Sequence, residues 1–187
     1  RRNIHHLGYD NNFTIYDQSD ALAVVKNVIV DMNLDIKRFE PKYFYYMISN
    51  SKNKLISHQD IEKLSNTYMD EMLPDIFKEY QIRLKESNAV DFDDLLILPL
   101  ELFKVKPDIL DYYQNKFKYV LVDEYQDTNK PQFHFIYNIA EKHQDICVVG
   151  DDDQSIYGWR GADITNILDF NKSFKNPYIV KLEQNYR

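Results

Sequence analysis

Val120–Asn129 reads VLVDEYQDTN, three aliphatic residues running straight into the adjacent carboxylates Asp123 and Glu124. An unbroken apolar run of this kind predicts a short strand buried on both faces, as in a parallel sheet covered by helices. The carboxylates then stand at the strand's carboxyl end, the edge at which open α/β sheets bind ligands. Such a pair suits a nucleotide site: the first acid can hold Mg²⁺, directly or through water, and the second can polarise the water that attacks a γ-phosphate. Taken alone, the pattern also fits a strand leading into a charged loop. The segments around it decide between the two.

A second apolar run, in Ile146–Ala162 (ICVVGDDDQSIYGWRGA), is broken by Gly150 and followed by acids, an amide and two aromatics. Between the runs, Thr128 or Asn129 can cap a helix with Pro131 in its first turn and Phe135, Ile136, Ile139 and Ala140 at helical spacing. Strand, helix and strand predict a right-handed crossover, so both acidic ends point to one sheet edge. That places Gln154 near Asp123 and Glu124, where a neutral amide can sense a γ-phosphate or orient water. A third apolar run, Tyr178–Leu182, leads to Arg187, whose charge suits a transferring phosphoryl group. Asp151, Asp152 and Asp153 are successive and cannot all face one ion.

Together, DEYQD (Asp123–Asp127), GDDDQSIYGWRGAD (Gly150–Asp163) and LEQNYR (Leu182–Arg187) resemble the second, third and fourth motifs of the UvrD/Rep/PcrA family. These are superfamily-one motors that move 3′ to 5′ on single-stranded DNA. VDFDDLL (Val90–Leu96) also resembles the family's pattern, without an assigned role, and weaker likeness through RRNIHHLGYDNNFTIYD and FEPKYFYYMISNSKN extends it over essentially the whole chain. The resemblance implies an α/β fold, part of a RecA-like P-loop NTPase domain carrying an all-helical insertion. Residues 1–13 and 88–187 would belong to the motor domain and 14–87 to the insertion.

For the site, the resemblance implies Asp123 as the Mg²⁺-associated acid, Glu124 as general base or water-orienting group beside the same ion, Gln154 as γ-phosphate sensor and Arg187 as a γ-phosphate contact. It implies that Trp159 stacks on a DNA base, that Tyr157 supports the same track, and that Arg160 contacts the DNA backbone or locks the loop. Without that context a lone Trp reads as a packing anchor. Stacking suits a translocating motor because every base has a π-face. The implied cofactors are ATP and Mg²⁺; the implied partners are single-stranded DNA, single-strand/duplex junctions and repair or replication proteins, in the cytoplasm. Asp151, Asp152 and Asp153 become loop-shaping residues.

One departure is large. No G-x-x-x-x-G-K-[ST] phosphate loop occurs, and glycine is confined to Gly8, Gly150, Gly158 and Gly161. The expectation is an internal piece of a longer helicase, inactive alone. Two other readings stay open: the motor part of a helicase-nuclease, and a non-catalytic module binding single-stranded DNA or protein. A metal-dependent nuclease using the Asp-rich loop is more distant.

From Thr14 to Asn88 the pattern is almost wholly helical. Asp17 or Ser19 can cap a helix with Leu22, Val25, Ile29 and Met32 on one face; Pro41 opens another with Phe44, Tyr45 and Ile48. Gln59–Lys85 predicts a long helical stretch through Ile61, Leu64, Tyr68, Ile76, Tyr80 and Leu84, kinked or broken at Pro74. These aromatic-rich faces predict core.

The net charge is −7, with 8 Lys/Arg and 7 Asp/Glu before residue 61 but 15 and 23 after it. Such a balance argues against a broad duplex-binding face. The single cysteine, Cys147, excludes a disulfide framework and is expected to be a buried, inert thiol. No 18-residue apolar run occurs, so no membrane span is expected.

Overall fold

The computed structural model describes residues 1–62, 68–182 and 184. Helix α1 (Gln18–Asp31) begins where the sequence offers a cap: the Asp17 carboxylate accepts from the backbone amides of Ser19 and Asp20, at 2.7 and 2.9 Å, and Asp20 accepts in return from the Asp17 amide. Three backbone donors at the helix start, the amides of Asp17, Ser19 and Asp20, are thereby satisfied. Pro41 lies in the first turn of α2 (Pro41–Asn53), where its missing N–H costs nothing. Next come α3 (His58–Glu62) and α4 (Tyr68–Glu86); Leu64 lies outside the described residues.

Helix α4 runs on through Pro74 unbroken. The proline forfeits one i→i−4 hydrogen bond, but Leu73, Ile76 and Phe77 beside it are buried in the core shared with α1 and α2. Val25, Val28, Ile29, Phe44, Ile76, Tyr80 and Leu84 are fully enclosed there. Full burial of such an aliphatic or aromatic side chain contributes roughly 1.5–3 kcal/mol.

Strand β1 (Thr14–Ile15) pairs in parallel with β2 (Ala89–Val90), and the Tyr16 amide extends the ladder to the Val90 carbonyl at 2.8 Å. Ile4, Tyr9 and Phe13 from the first 13 residues pack on Val90 and on Leu98 of α5 (Asp94–Val105). After α6 (Pro107–Lys116) come β3 (Val120–Val122), α7 (Lys130–Ala140) and β4 (Ile146–Val148). Strands β3 and β4 are parallel, with Val120, Leu121 and Val122 opposite Ile146, Cys147 and Val148. The chain closes on two single turns, α8 (Thr165–Leu168) and α9 (Phe170–Ser173). It is a mixed α/β fold, mostly helical, with two small parallel sheets among the described residues.

Two expectations about the sheet are corrected. Val120 packs with Phe103, Ile109 and Ile139 beneath α5, α6 and α7, but Leu121 is 79% exposed and Cys147 is exposed as well. Successive strand side chains alternate between faces, so these register partners share the face that no helix among the described residues covers. The third apolar run is also unlike the other two: Tyr178–Leu182 forms no strand and is largely exposed.

Candidate functional site

The geometry of the carboxylate turn starts at Glu124, which leaves β3 in the left-handed region, φ 51°. A non-glycine residue there carries strain, which persists only where the surroundings fix it. Here the Glu124 amide donates to Asp123 Oδ1 at 2.9 Å, and the Tyr125 amide donates to the Val149 carbonyl at 3.0 Å. A 3₁₀ turn over Tyr125–Asp127 follows, the Thr128 hydroxyl donates to the Tyr125 carbonyl, and Asn129 caps α7 with Gln132 in reciprocal bonds of 2.9 Å. Asp123 and Glu124 remain exposed at the sheet edge.

Gln126 joins the two acidic ends. It is fully buried; its Nε2 donates to Glu124 Oε2 at 2.8 Å and its Oε1 accepts from the Asp151 amide at 3.1 Å. Gly150 makes room for it, since a Cβ at that position would stand 2.5 Å from Gln126 Oε1. Asp151 caps a short turn, its Oδ1 accepting from the Asp153 backbone amide, and the Gln154 side-chain Nε2 donates to Asp151 Oδ2 at 2.5 Å. Glu124, Gln126, Asp151 and Gln154 thus form one chain of hydrogen bonds along the edge.

Tyr157 and Trp159 lie beyond it, ring centroids 6.4 Å apart, with Trp159 75% exposed at the turn Gly158–Arg160. Gly161 ends that turn at φ 83°, a conformation that favours glycine. The segment behind it is pinned to the carboxylate turn: Asn129 and Ala162 form an antiparallel bridge, the Asp163 amide donates to the Thr128 carbonyl at 3.0 Å, and Asn166 Nδ2 donates to the same carbonyl. The Arg160 side chain and Arg187 lie outside what the structure describes. A cavity of about 1010 Å³, lined in part by Lys52, Gln81, Asp94 and His134, includes none of the sequence-predicted site residues.

VDFDDLL receives a structural role. Lys52 of α2 is buried with its Nζ 2.6 Å from Asp91 Oδ2 and 2.8 Å from Asp94 Oδ1, and the Tyr80 hydroxyl donates to Asp91 at 2.8 Å. Burial opposes the Lys52 charge, but Asp94 and Asp91 outweigh it and hold the ammonium above its ordinary range. Burial likewise opposes the Asp91 charge; Lys52 overcomes it and keeps that carboxyl low. For Asp94 burial prevails and raises the carboxyl to about 6. Asp93 takes a different partner, accepting from Asn53 Nδ2 at 3.0 Å.

Sequence reasoning missed Gln126, Lys52 and Asn53. An amide two residues beyond Glu124 was a local signal for the first. Nothing local marks the other two, whose long-range partners are 39 to 76 positions away.

The chain belongs to the family described as the UvrD/REP helicase N-terminal domain, which matches residues 1–175. Its sequence is similar to that of the ATP-dependent DNA helicase PcrA: 46% identical over all 187 residues to the Bacillus subtilis protein, and 48% to those of Staphylococcus epidermidis and Staphylococcus aureus. The chain spans about a quarter of the length of these curated relatives, 25% to 26%.

Proposed function

We propose that this chain is part of an ATP-dependent DNA helicase that moves 3′ to 5′ on single-stranded DNA and opens duplexes at single-strand junctions during repair or replication. It contributes the water-activating edge and a strand contact of a RecA-like motor domain. In this reading residues 1–13 and 88–187 belong to the motor domain and 14–87 are its helical insertion, supported by the packing of Ile4, Tyr9 and Phe13 on Val90 and Leu98.

The observation that carries the reading is the hydrogen-bonded line from Glu124 through Gln126 to Asp151 and Gln154. It ties the proposed base to the proposed γ-phosphate sensor, in a segment that leads within five residues to the exposed Trp159. Among the described residues no group of three or more His, Cys, Asp or Glu converges as a metal cage. The adjacent exposed carboxylates Asp123 and Glu124 fit Mg²⁺, which is commonly held by one or two carboxylates with substrate phosphates and water. Asp123 would hold the ion, which when bound neutralises phosphate charge. Glu124 orients and deprotonates the attacking water, Gln126 holds the Glu124 carboxylate in place, and Gln154 and Arg187 face the γ-phosphate.

The test uses the full-length protein that carries this chain. ATP hydrolysis stimulated by single-stranded DNA, together with unwinding of a duplex with a 3′ tail, is the expected result. ATP turnover that DNA does not change would overturn the reading.

A further inference from the structure

Asn53, the last residue of α2, lies where three parts of the molecule meet. Its Oδ1 accepts from Asn129 Nδ2 at 2.7 Å, while its Nδ2 donates to Asp93 Oδ1 at 3.0 Å and to the Ser49 carbonyl at 2.8 Å. Chemistry fixes this orientation of the amide. The Ser49 carbonyl and the Asp93 carboxylate require a donor, and Asn129 presents its NH₂ because its own oxygen already accepts from the Gln132 amide. On the other side Gly161 packs so closely that a Cβ there would stand 3.1 Å from Asn53 Cβ. Asn53 is therefore bonded to the residue that ends the carboxylate turn and is in contact with the residue that ends the Trp159 turn. Those two segments are bridged at Asn129 and Ala162.

We propose that Asn53 is a positioning residue for DNA-stimulated ATP turnover: from the helical insertion, it holds the Trp159 turn in register with the carboxylate turn. This rests on the helicase reading above. The Asn53–Asn129 bond is the only side-chain hydrogen bond described between α2 and the carboxylate turn. Its loss lets the two turns shift against the insertion, and strand contact at Trp159 is then transmitted less well to Glu124.

The experiment measures ATPase of the full-length protein against increasing single-stranded oligo-dT for wild type, Asn53→Ala, Asn129→Ser and the double variant. Asn129→Ser keeps an oxygen to cap α7 but removes the amide donor. Each single variant should raise the oligo-dT concentration for half-maximal stimulation roughly fivefold, the worth of one net hydrogen bond, with the ATP KM unchanged. The double variant should go no further than the larger single effect. A merely structural role would lower kcat through loss of folded protein and leave half-maximal stimulation where it was. If Asn53→Ala does not fold, Asn129→Ser decides. A wild-type half-maximum in Asn129→Ser, or effects that multiply in the double variant, would overturn the proposal. A wild-type enzyme that DNA does not stimulate would instead remove the helicase reading beneath it.

Discussion

The helical part and the carboxylate edge use charged groups in opposite ways. Beneath α2 and α4, Lys52, Asp91, Asp94 and Tyr80 are buried and satisfy one another. At the end of β3, Asp123 and Glu124 stay exposed, and buried Gln126 restrains one of them from below. A buried ion cluster fixes how segments pack, because each charge would be costly without its partner. An exposed carboxylate on a restrained backbone remains able to meet water and phosphate. The same residue types thus hold one region together and leave the other available for chemistry.

The largest break in this comparison should come from Lys52→Met. Removing the cation leaves Asp91 and Asp94 buried against each other and should cost about 3–5 kcal/mol of stability, read from denaturant unfolding. A variant as stable as wild type would mean that the cluster does not hold the helical part in place.

Trp159→Ala probes the other region. Loss of a stacking residue should weaken single-strand affinity roughly five- to 150-fold, from about 1–3 kcal/mol per base, and leave the thermal midpoint close to wild type because the ring is 75% exposed. A large drop in midpoint with unchanged affinity per folded molecule would make Trp159 a packing anchor.

The smallest effect is a tilt with pH. The fold raises the Asp94 carboxyl from 3.8 to about 6, so it favours the protonated form; this contribution to stability is present below about pH 3.8 and is lost as pH rises through about 6. Asp91 acts in the opposite sense, its carboxyl being lowered, so its contribution is present above 3.8 and lost on acidification. Asp94→Asn removes the first and retains the second. Thermal melts from pH 4 to 8 should show the variant gaining on wild type as pH rises; a constant gap would place the burial penalty elsewhere.

The sequence was most legible where one local rule sufficed. The first-turn prolines Pro41 and Pro131, the strands before Asp123 and Gly150, and the two caps to within a pair of candidates each, Asp17 or Ser19 and Thr128 or Asn129, were readable from a few neighbouring residues; the structure selects Asp17 and Asn129. At Pro74 the helix is not broken, because packing of Leu73, Ile76 and Phe77 carries α4 across a local breaker. Leu121 and Cys147 misled because an apolar strand run implies two covered faces, whereas the described helices cover one. The acidic pair Asp123 and Glu124 stood out by its pattern, whereas a role for Trp159 came only from the family resemblance. Gln126 had a local signal, an amide two residues beyond Glu124, but Lys52 and Asn53 had none, since their importance lies in what they touch: an ion partner 39 residues away and a bond spanning 76 residues.

Glu124→Gln in the full-length protein separates the chemistry proposed for the carboxylate edge from any part of that edge in holding the fold together. The substitution keeps the shape of the side chain and an oxygen for Gln126 while removing the proposed base. Steady-state phosphate release with Mg²⁺ and single-stranded DNA should fall by about 10²- to 10⁴-fold with the thermal midpoint unchanged. Turnover near wild type, or a loss of activity matched by a loss of folded protein, would rule out Glu124 as the base.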